Sequence, residues 1–475
     1  MTLTAALRAA VAPPVIELCH RLHERGFRGW VVGGSVRDVL LAQLGRQPVK
    51  PYDWDVATSA TPTQVVETFR RVIPTGIAHG TVTVMMGKLG IEVTTLRGES
   101  TYSDGRHPDR VTFVDDIEAD LARRDFTVNA IAFDPIDATL IDPFDGLGDL
   151  QRRLLRAVGD PASRFGEDGL RVLRAARFAA TLDFDIEPAT RAAIRPSLDS
   201  YRKVSAERVR DEWLKAMSAK RPSRAFEIML EEGLLDISAK ELALMAGCEQ
   251  NRYHRYDVFT HTMRVLDNVE SSRRTLRIAA LLHDIGKPAT RARSEATGDY
   301  TFYQHEIVGA KMADALMRRL RFSNEEREEA CQLVRNHLVV YEPSWTDAAV
   351  RRWITRVGLE RRNDVLALAR ADILGKGRDV TDELRTIDEL STRVEALIAA
   401  GAAFGIRDLA IAGNDLIEHL KITPGPLVGR LLRQLLERVL ENPEQNQRER
   451  LLAEARTLFE RDQAGPHSPS DAGSP

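Results

Sequence analysis

The spacing of apolar residues changes near Leu150, and this change limits what the 475-residue chain can fold into. Before it, short runs such as "WVVGG", "WDVAT", "TVTVMMG", "IEVTTL", "RVTFVD" and "TVNAIAFD" read as strands among helical pieces. From Leu150 to about Phe459, apolar residues recur at i, i+3, i+4 and i+7 with Gly and Pro punctuation and almost no strand signal. A mixed-sheet region followed by a long helical one makes the expected class α+β. The chain is too long for one core and predicts two to four domains. Breaks are expected near Gly159 to Pro161, Asp183 to Pro188, Lys220 to Pro222, Gly247 to Tyr256 and Gly375 to Arg378.

Composition excludes some classes. Hydrophobic residues make up 43% and charged residues 29%, as in a globular protein, and no apolar run of about eighteen exists to span a membrane. The N-terminus lacks a basic leader with an apolar core, so a cytoplasmic protein is expected. Cys19, Cys248 and Cys331 are too few and too far apart for a disulfide framework or a zinc ribbon. Net charge is −3, yet basic residues cluster from Arg152 to Arg177, where a stripe could meet an RNA backbone or be neutralised by nearby acids. The small, polar, proline-rich end, residues 463–475, is expected to be disordered.

Two segments carry chemistry in the first region. In "WVVGGSVRDVLL" a strand from Trp30 to Val32 leads into Gly33 and Gly34 and then a helix from Ser35 to Leu41. Glycine lets backbone approach phosphate oxygens, Ser35 can cap the helix and donate to a phosphate, and Arg37 adds a cation. In "YDWDVAT" strand alternation places Asp53 and Asp55 on one face and Trp54 and Val56 on the other. Paired carboxylates suit Mg2+, which bridges substrate phosphates. Glu92, between Ile91 and Val93 in "GIEVTTLR", is the expected third carboxylate. The competing reading is a solvated strand edge and an ordinary turn.

Further along, Asp125 and Asn129 in "RRDFTVNA" are spaced to present their polar groups together on a helical turn, fit for a ribose hydroxyl. Asp125 as a simple helix cap is the alternative. In "EDGLRVLRAARF", Asp168 and Arg171 are three apart and expected on one helical face, an acceptor and a forked donor of the kind a base edge requires, or else a surface salt bridge. The polar loop 97–111 carries Arg106, Asp109 and Arg110 and is expected to swing over a site. A separate constellation lies in residues 254–372: His261, His283, Asp284, His305, His337 and Asp372. Imidazole with carboxylate suits Mn2+, Ni2+ or Zn2+, and metal-bound water would serve hydrolysis. Lys287 in "HDIGKP" is placed to meet a substrate phosphate.

The motifs "GGSVRD", "DWDVATSATP", "HGTVTV", "IEVTTLR", "RRDFTVNAIAF", "IDPFDGLGDL" and "RFGEDGLRVLRAARF" follow one another as in class II tRNA nucleotidyltransferases and the related bacterial poly(A) polymerases. The resemblance spans about residues 27–220, with Trp54 a small departure inside the aspartate pair. It implies a polymerase-beta-like nucleotidyltransferase head (1–150) followed by an all-α neck for nucleotide selection and RNA binding (151–245). Asp53, Asp55 and Glu92 would be catalytic with Mg2+. Gly33, Gly34, Ser35, Arg37, Arg124, Arg174 and Arg177 would join Asp125 and Asn129 around the nucleotide. Asp168 and Arg171 would act as a protein template for CTP and ATP, with Glu167 orienting the arginine. In "SAERVRDEWLKAM", Arg208 and Glu212 would be structural partners. The loop argues against an enzyme that adds only CC. Residues 255–380 resemble HD-domain phosphohydrolases, implying His261, His283, Asp284 and Asp372 as ligands, with His305 and His337 as further metal or phosphate contacts, in a domain spanning 246–395. A helical tail (396–462) is expected to touch the tRNA elbow or mediate a homodimer. CCA addition to tRNA is the expected activity. The alternatives are A addition alone, a poly(A) polymerase, or an HD phosphohydrolase with an RNA-binding N-terminal module.

Overall fold

The computed structural model describes residues 3–45, 53–77, 80–97, 116–270 and 272–464. The chain divides into two compact units, one of residues 1–244 with 316–323 and one of 245–315 with 324–475. The class is α+β, with a sheet and helices at the N-terminal side and helices thereafter.

The first unit is built on seven strands: β1 (Gly29–Val32), β2 (Asp55–Thr58), β3 (Val72–Gly76), β4 (Thr81–Met86), β5 (Leu89–Thr95), β6 (Ala132–Asp134) and β7 (Thr139–Ile141). Their order is β3-β4-β5-β2-β1-β6-β7, antiparallel except for the parallel β2–β5 pair. The register sets Val32 opposite Asp55 and Asp55 opposite Glu92. Since neighbours in register share a face of a sheet, the two acids project together. Trp30, Val32 and Ala57, on the same face as Asp55, enter a core with Leu96, Ile117, Leu121, Ala130, Ala132 and Val158, while Val56 and Val93 are buried on the opposite face.

Local chemistry explains the helix starts. Thr61 closes a capping box with Gln64 ahead of Pro62–Thr68. Asp160 accepts from the Ser163 N–H at 2.8 Å, with Pro161 opening Pro161–Glu167. Strands β3 and β7 have no counterpart among the runs read from the sequence, and "RVTFVD" falls outside the described residues. Beyond Leu150, two short ladders interrupt the helices: Leu154–Leu155 with Asp185–Ile186, and Ala292–Arg293 with Tyr300–Thr301.

The second unit is helical. Val258–Asp267, Arg274–Leu282, Asn324–Asn336 and Arg362–Gly375 pack around the histidines, and Asp257 caps the first by accepting from the Thr260 N–H at 2.8 Å. A separate apolar cluster of Leu416, Leu431, Leu435, Val439, Leu440 and Leu451 holds Gly413–Leu420, Pro426–Glu441 and Arg448–Ala464 together. That last helix carries Gln463 and Ala464, so the two residues expected at the start of a disordered end are helical, and 465–475 lie outside the described residues. No described helix is long and apolar enough to cross a membrane.

Candidate nucleotide site and candidate metal centre

A cleft of 630 Å³ in the first unit is lined by Gly33, Gly34, Arg37, Asp55, Glu92, Arg124, Asp125, Asn129, Asp168, Arg171, Arg174 and Arg177. Gly33 has φ +75° and ψ −136°, a conformation open to glycine, and a Cβ there would sit 3.1 Å from Arg124 Nη1. Its backbone can therefore lie beside the Arg124 guanidinium and the Asp55 carboxylate. Gly34 is already helical, the first residue of Gly34–Gln43.

Burial pushes the Asp55 carboxyl up to about 6, reinforced by Glu92 and Asp53 and opposed by Arg124. Carboxylates gathered against their mutual repulsion are the donor set of a hard cation, and this cluster fits Mg2+. Asp53 lies outside the sheet, because β2 begins at Asp55, and it is exposed and absent from the cleft lining. The burial alternation of Trp54, Asp55 and Val56 still follows the expected pattern.

Two expectations need correcting. Ser35 neither caps the helix nor lines the cleft: Gly33 is the N-cap, and the buried Ser35 hydroxyl donates to Val32 O at 3.3 Å. Asp168 and Arg171 do not share a helical face, because Asp168 sits in the break between Pro161–Glu167 and Leu170–Leu182.

Both side chains nonetheless reach the cleft, each held by others. Arg208 donates to both Asp168 oxygens at 3.1 and 2.6 Å, and the Leu170 N–H reaches Oδ1 at 3.0 Å. Arg171 donates to Glu167 at 2.5 Å, to Arg164 O at 2.8 Å and to Arg123 O at 2.9 Å. Glu212 pairs with Arg177 at 2.7 Å, so Arg208 and Glu212 serve different partners, contrary to their expected pairing.

Asp125 and Asn129 do meet, through a 3-10 turn at Thr127–Asn129 in place of an α-helical one, with Asn129 Nδ2 donating to Asp125 Oδ1 at 3.1 Å. Asn129 Oδ1 accepts from Arg37 at 2.7 Å, and Arg174 chelates Asp125 at 2.6 Å. Burial works to raise the Asp125 pKa, yet Arg174 and Asn129 hold it down at about 2. Arg37, Arg174 and Arg177 surround the Phe178 ring. Sequence reading missed Arg123, Lys215 and the buried Asp120, which accepts from Arg123 at 2.6 Å and Arg124 at 3.3 Å. The i, i+3 and i, i+4 spacing in "EADLARRDF" was the available signal. Arg106, Asp109 and Arg110 lie outside the described residues.

In the second unit the six histidine and aspartate positions converge. His261 Nε2 is 2.8 Å from Asp372 Oδ1, and His283 Nε2 is 3.2 Å from Asp284 Oδ2. His305 and His337 Nε2 lie 3.4 and 3.8 Å from the other Asp284 oxygen. Ligand atoms group as His261, His283, Asp372 and as Asp284, His305, His337. Nδ1 of His283, His305 and His337 each bonds a backbone carbonyl at 2.7–2.8 Å, leaving Nε2 toward the centre.

Gly286 permits this approach, since a Cβ there would meet His305 O at 2.4 Å. The Asp284 oxygens and His283 Nε2 are buried without a well-formed hydrogen bond, which a cation would satisfy. Burial disfavours charge on His283, but Asp284 and Asp372 lift its pKa to about 10, while burial and His283 press His337 to about 3. Lys287 Nζ sits 2.7 Å from Asp284 Oδ2 and 2.7 Å from Gln250 Oε1.

Fold and sites together define a poly(A) polymerase-type nucleotidyltransferase carrying an HD domain: models of the poly A polymerase head domain, of the probable RNA and SrmB-binding site of polymerase A, and of the HD domain match residues 29–156, 183–245 and 252–388. A CCA-adding enzyme of Lactococcus lactis subsp. lactis is 33% identical over 455 residues, covering 94% of this chain and 97% of that one. The chain belongs to the CCA-adding enzyme family. A CCA-adding enzyme of Lactobacillus johnsonii is 47% identical over 223 residues, which span 47% of this chain and only 54% of the relative. Among solved structures, the Bacillus stearothermophilus CCA-adding enzyme in complex with CTP matches with TM-score 0.71 and 29% identity over 96% of this chain and 100% of that one. The Thermotoga maritima CCA-adding enzyme complexed with tRNA shares the fold at TM-score 0.56 and 18% identity, over 97% of this chain and 99% of that one.

Proposed function

We propose that this chain adds C, C and A to the 3′ end of tRNA from CTP and ATP. The observation that carries the reading is the Asp55–Glu92 pair in register beside Gly33, in one cleft with Asp168 and Arg171. Asp53, Asp55 and Glu92 would hold Mg2+, which when bound neutralises the triphosphate and activates the attacking hydroxyl. The RNA 3′ oxygen bonds to the α-phosphorus, the bond to the bridging oxygen breaks, pyrophosphate leaves and the hydroxyl proton passes to solvent. Gly33 backbone, Arg37 and Arg124 position the triphosphate, and Asp125 with Asn129 positions the ribose.

The base edge is left to groups still open. After its three contacts, Asp168 retains a lone pair on Oδ2, and two N–H groups of Arg171 have no hydrogen-bond partner among the described residues. An acceptor beside a fixed donor pair suits the complementary edges of cytosine and adenine. A addition alone and poly(A) synthesis use the same cleft, and the products distinguish them.

The second unit we read as a phosphohydrolase for phosphoesters at RNA ends, such as a 2′,3′-cyclic phosphate or 2′-phosphate. Its two ligand groups, His261 with His283 and Asp372 and Asp284 with His305 and His337, would hold divalent transition metal, which when bound would supply a water of lowered pKa. Water then adds to phosphorus, the ester bond breaks and the alcohol leaves with a proton. If this were the main activity and the first unit only bound RNA, an Asp55→Asn variant would still extend tRNA as well as wild type extends it. Loss of extension with hydrolysis kept supports two separate activities.

A further inference from the structure

We infer, on the nucleotidyltransferase reading of the first unit, that the Thr81 and Thr94 hydroxyls bind the 2′ hydroxyl at the 3′ end of the acceptor RNA and thereby select ribose over deoxyribose there. Thr81 Oγ1 and Thr94 Oγ1 lie 3.0 Å apart, both residues are half-buried, and both line the cleft that holds Asp55 and Glu92. Register explains the meeting. Ala57, Thr94 and Thr81 stand abreast on β2, β5 and β4, and Asp55, Glu92 and Thr83 form the neighbouring row. The two rows share one face of the sheet and are two residues apart along the strands, about 7 Å.

Sheet order decides which substrate reaches the threonines. Gly33 and Arg37 follow β1, and Arg124, Asp125 and Asn129 precede β6, so the groups that position the incoming nucleotide gather on the β1–β6 side. The carboxylate strands β2 and β5 come next, and β4 lies beyond β5. Displacement at the α-phosphorus is in line, so pyrophosphate leaving toward β1 requires an attacking oxygen from the β5–β4 side. A 3′ oxygen that faces Asp55 and Glu92 from there carries its 2′ hydroxyl on the neighbouring carbon, within the reach of the threonine row. One threonine hydroxyl donates to the other, and neither makes a further side-chain hydrogen bond among the described residues. The pair therefore keeps one open proton and open lone pairs. A 2′ hydroxyl is both donor and acceptor and completes that set, whereas a deoxyribose leaves it open to water.

The test uses the full chain with Mg2+ and ATP and measures kcat/KM for two CC-ended tRNAs, identical except that one ends in cytidine and the other in 2′-deoxycytidine. A CC end accepts A in CCA addition, in A addition alone and in poly(A) synthesis, so the comparison holds for each. Wild type is expected to favour the ribose end about tenfold, the worth of one hydrogen bond. Thr94→Val and Thr81→Val keep the branched shape and are each expected to cut that preference to about twofold, by slowing the ribose acceptor and largely sparing the deoxyribose one. Thr94→Ser keeps the hydroxyl and is expected to retain the preference. Equal extension of both ends by wild type, or valine variants that both slow the two ends alike, would overturn the hydroxyl pair and leave the nucleotidyltransferase reading standing. If wild type extends neither tRNA, that reading falls and the pair falls with it.

Discussion

Asp55 and Glu92 stand opposite one another across the parallel β2–β5 pairing, and their repulsion adds to burial in raising the Asp55 carboxyl to about 6. An acid whose pKa rises on folding takes up protons in the folded state, so stability falls as pH climbs from about 4 through 6. In chelator-treated protein, Asp55→Asn should therefore be more stable than wild type at pH 7.5, by roughly 2 kcal/mol. The gain should vanish below pH 4, where Asp55 is protonated in both states. The same variant should lose about a thousandfold in tRNA extension. Thermal melts with EDTA across pH, set beside extension assays, check both parts.

Glu167 holds Arg171 at 2.5 Å, and the arginine is also fastened by two backbone carbonyls. Removing the charge by Glu167→Gln should leave Arg171 in place but less firmly oriented. Nucleotide choice should suffer more than rate: misincorporation of UTP or GTP should rise about tenfold, with kcat for CTP falling less. Arg171→Ala should depress kcat/KM for CTP and ATP together by about a hundredfold. Single-turnover incorporation of each nucleotide measures both.

Asp125 is buried against Arg174 and ionises at about 2. A carboxyl with its pKa depressed on folding adds stability that is present above about pH 4 and lost as pH falls through 2. Asp125→Asn should cost roughly 2 kcal/mol at pH 7, and its deficit should shrink steadily below pH 4. Urea unfolding followed by the tryptophan fluorescence of the chain at pH 7, 4 and 3 traces that convergence. A deficit independent of pH would place the effect in packing and not in the ion pair.

In the second unit, His305 and His337 approach one oxygen of Asp284 while His261 and His283 approach the other. Wild type should bind two equivalents of Mn2+, about one in His337→Ala, and none firmly in Asp284→Ala, because that residue serves both groups. Elemental analysis after dialysis counts the ions without reference to turnover.

Much of this was legible because strand alternation and short motifs are local properties. Asp55 and Glu92 could be placed on strands from their neighbours, and the parallel register that aligns them follows from burying Val56 and Val93 on the other side. What escaped depends on contacts distant in sequence. Ser35 looks like a helix cap, but Gly33 takes the N-cap position and the Ser35 hydroxyl turns to the Val32 carbonyl. Asp168 and Arg171 have helical spacing, yet the chain breaks at Asp168, and Arg208, forty residues on, takes its carboxylate. The histidines announced a metal centre, but their division into two groups around Asp284 appears only when five helical segments meet.

The central claim is tested most directly by extending three tRNA transcripts, ending before CCA, after C and after CC, with CTP, ATP or both, and sequencing the products. The account predicts that all three grow to a single CCA end when both nucleotides are present. Addition of A only to the CC-ended transcript, or long A tails on any of them, would contradict it.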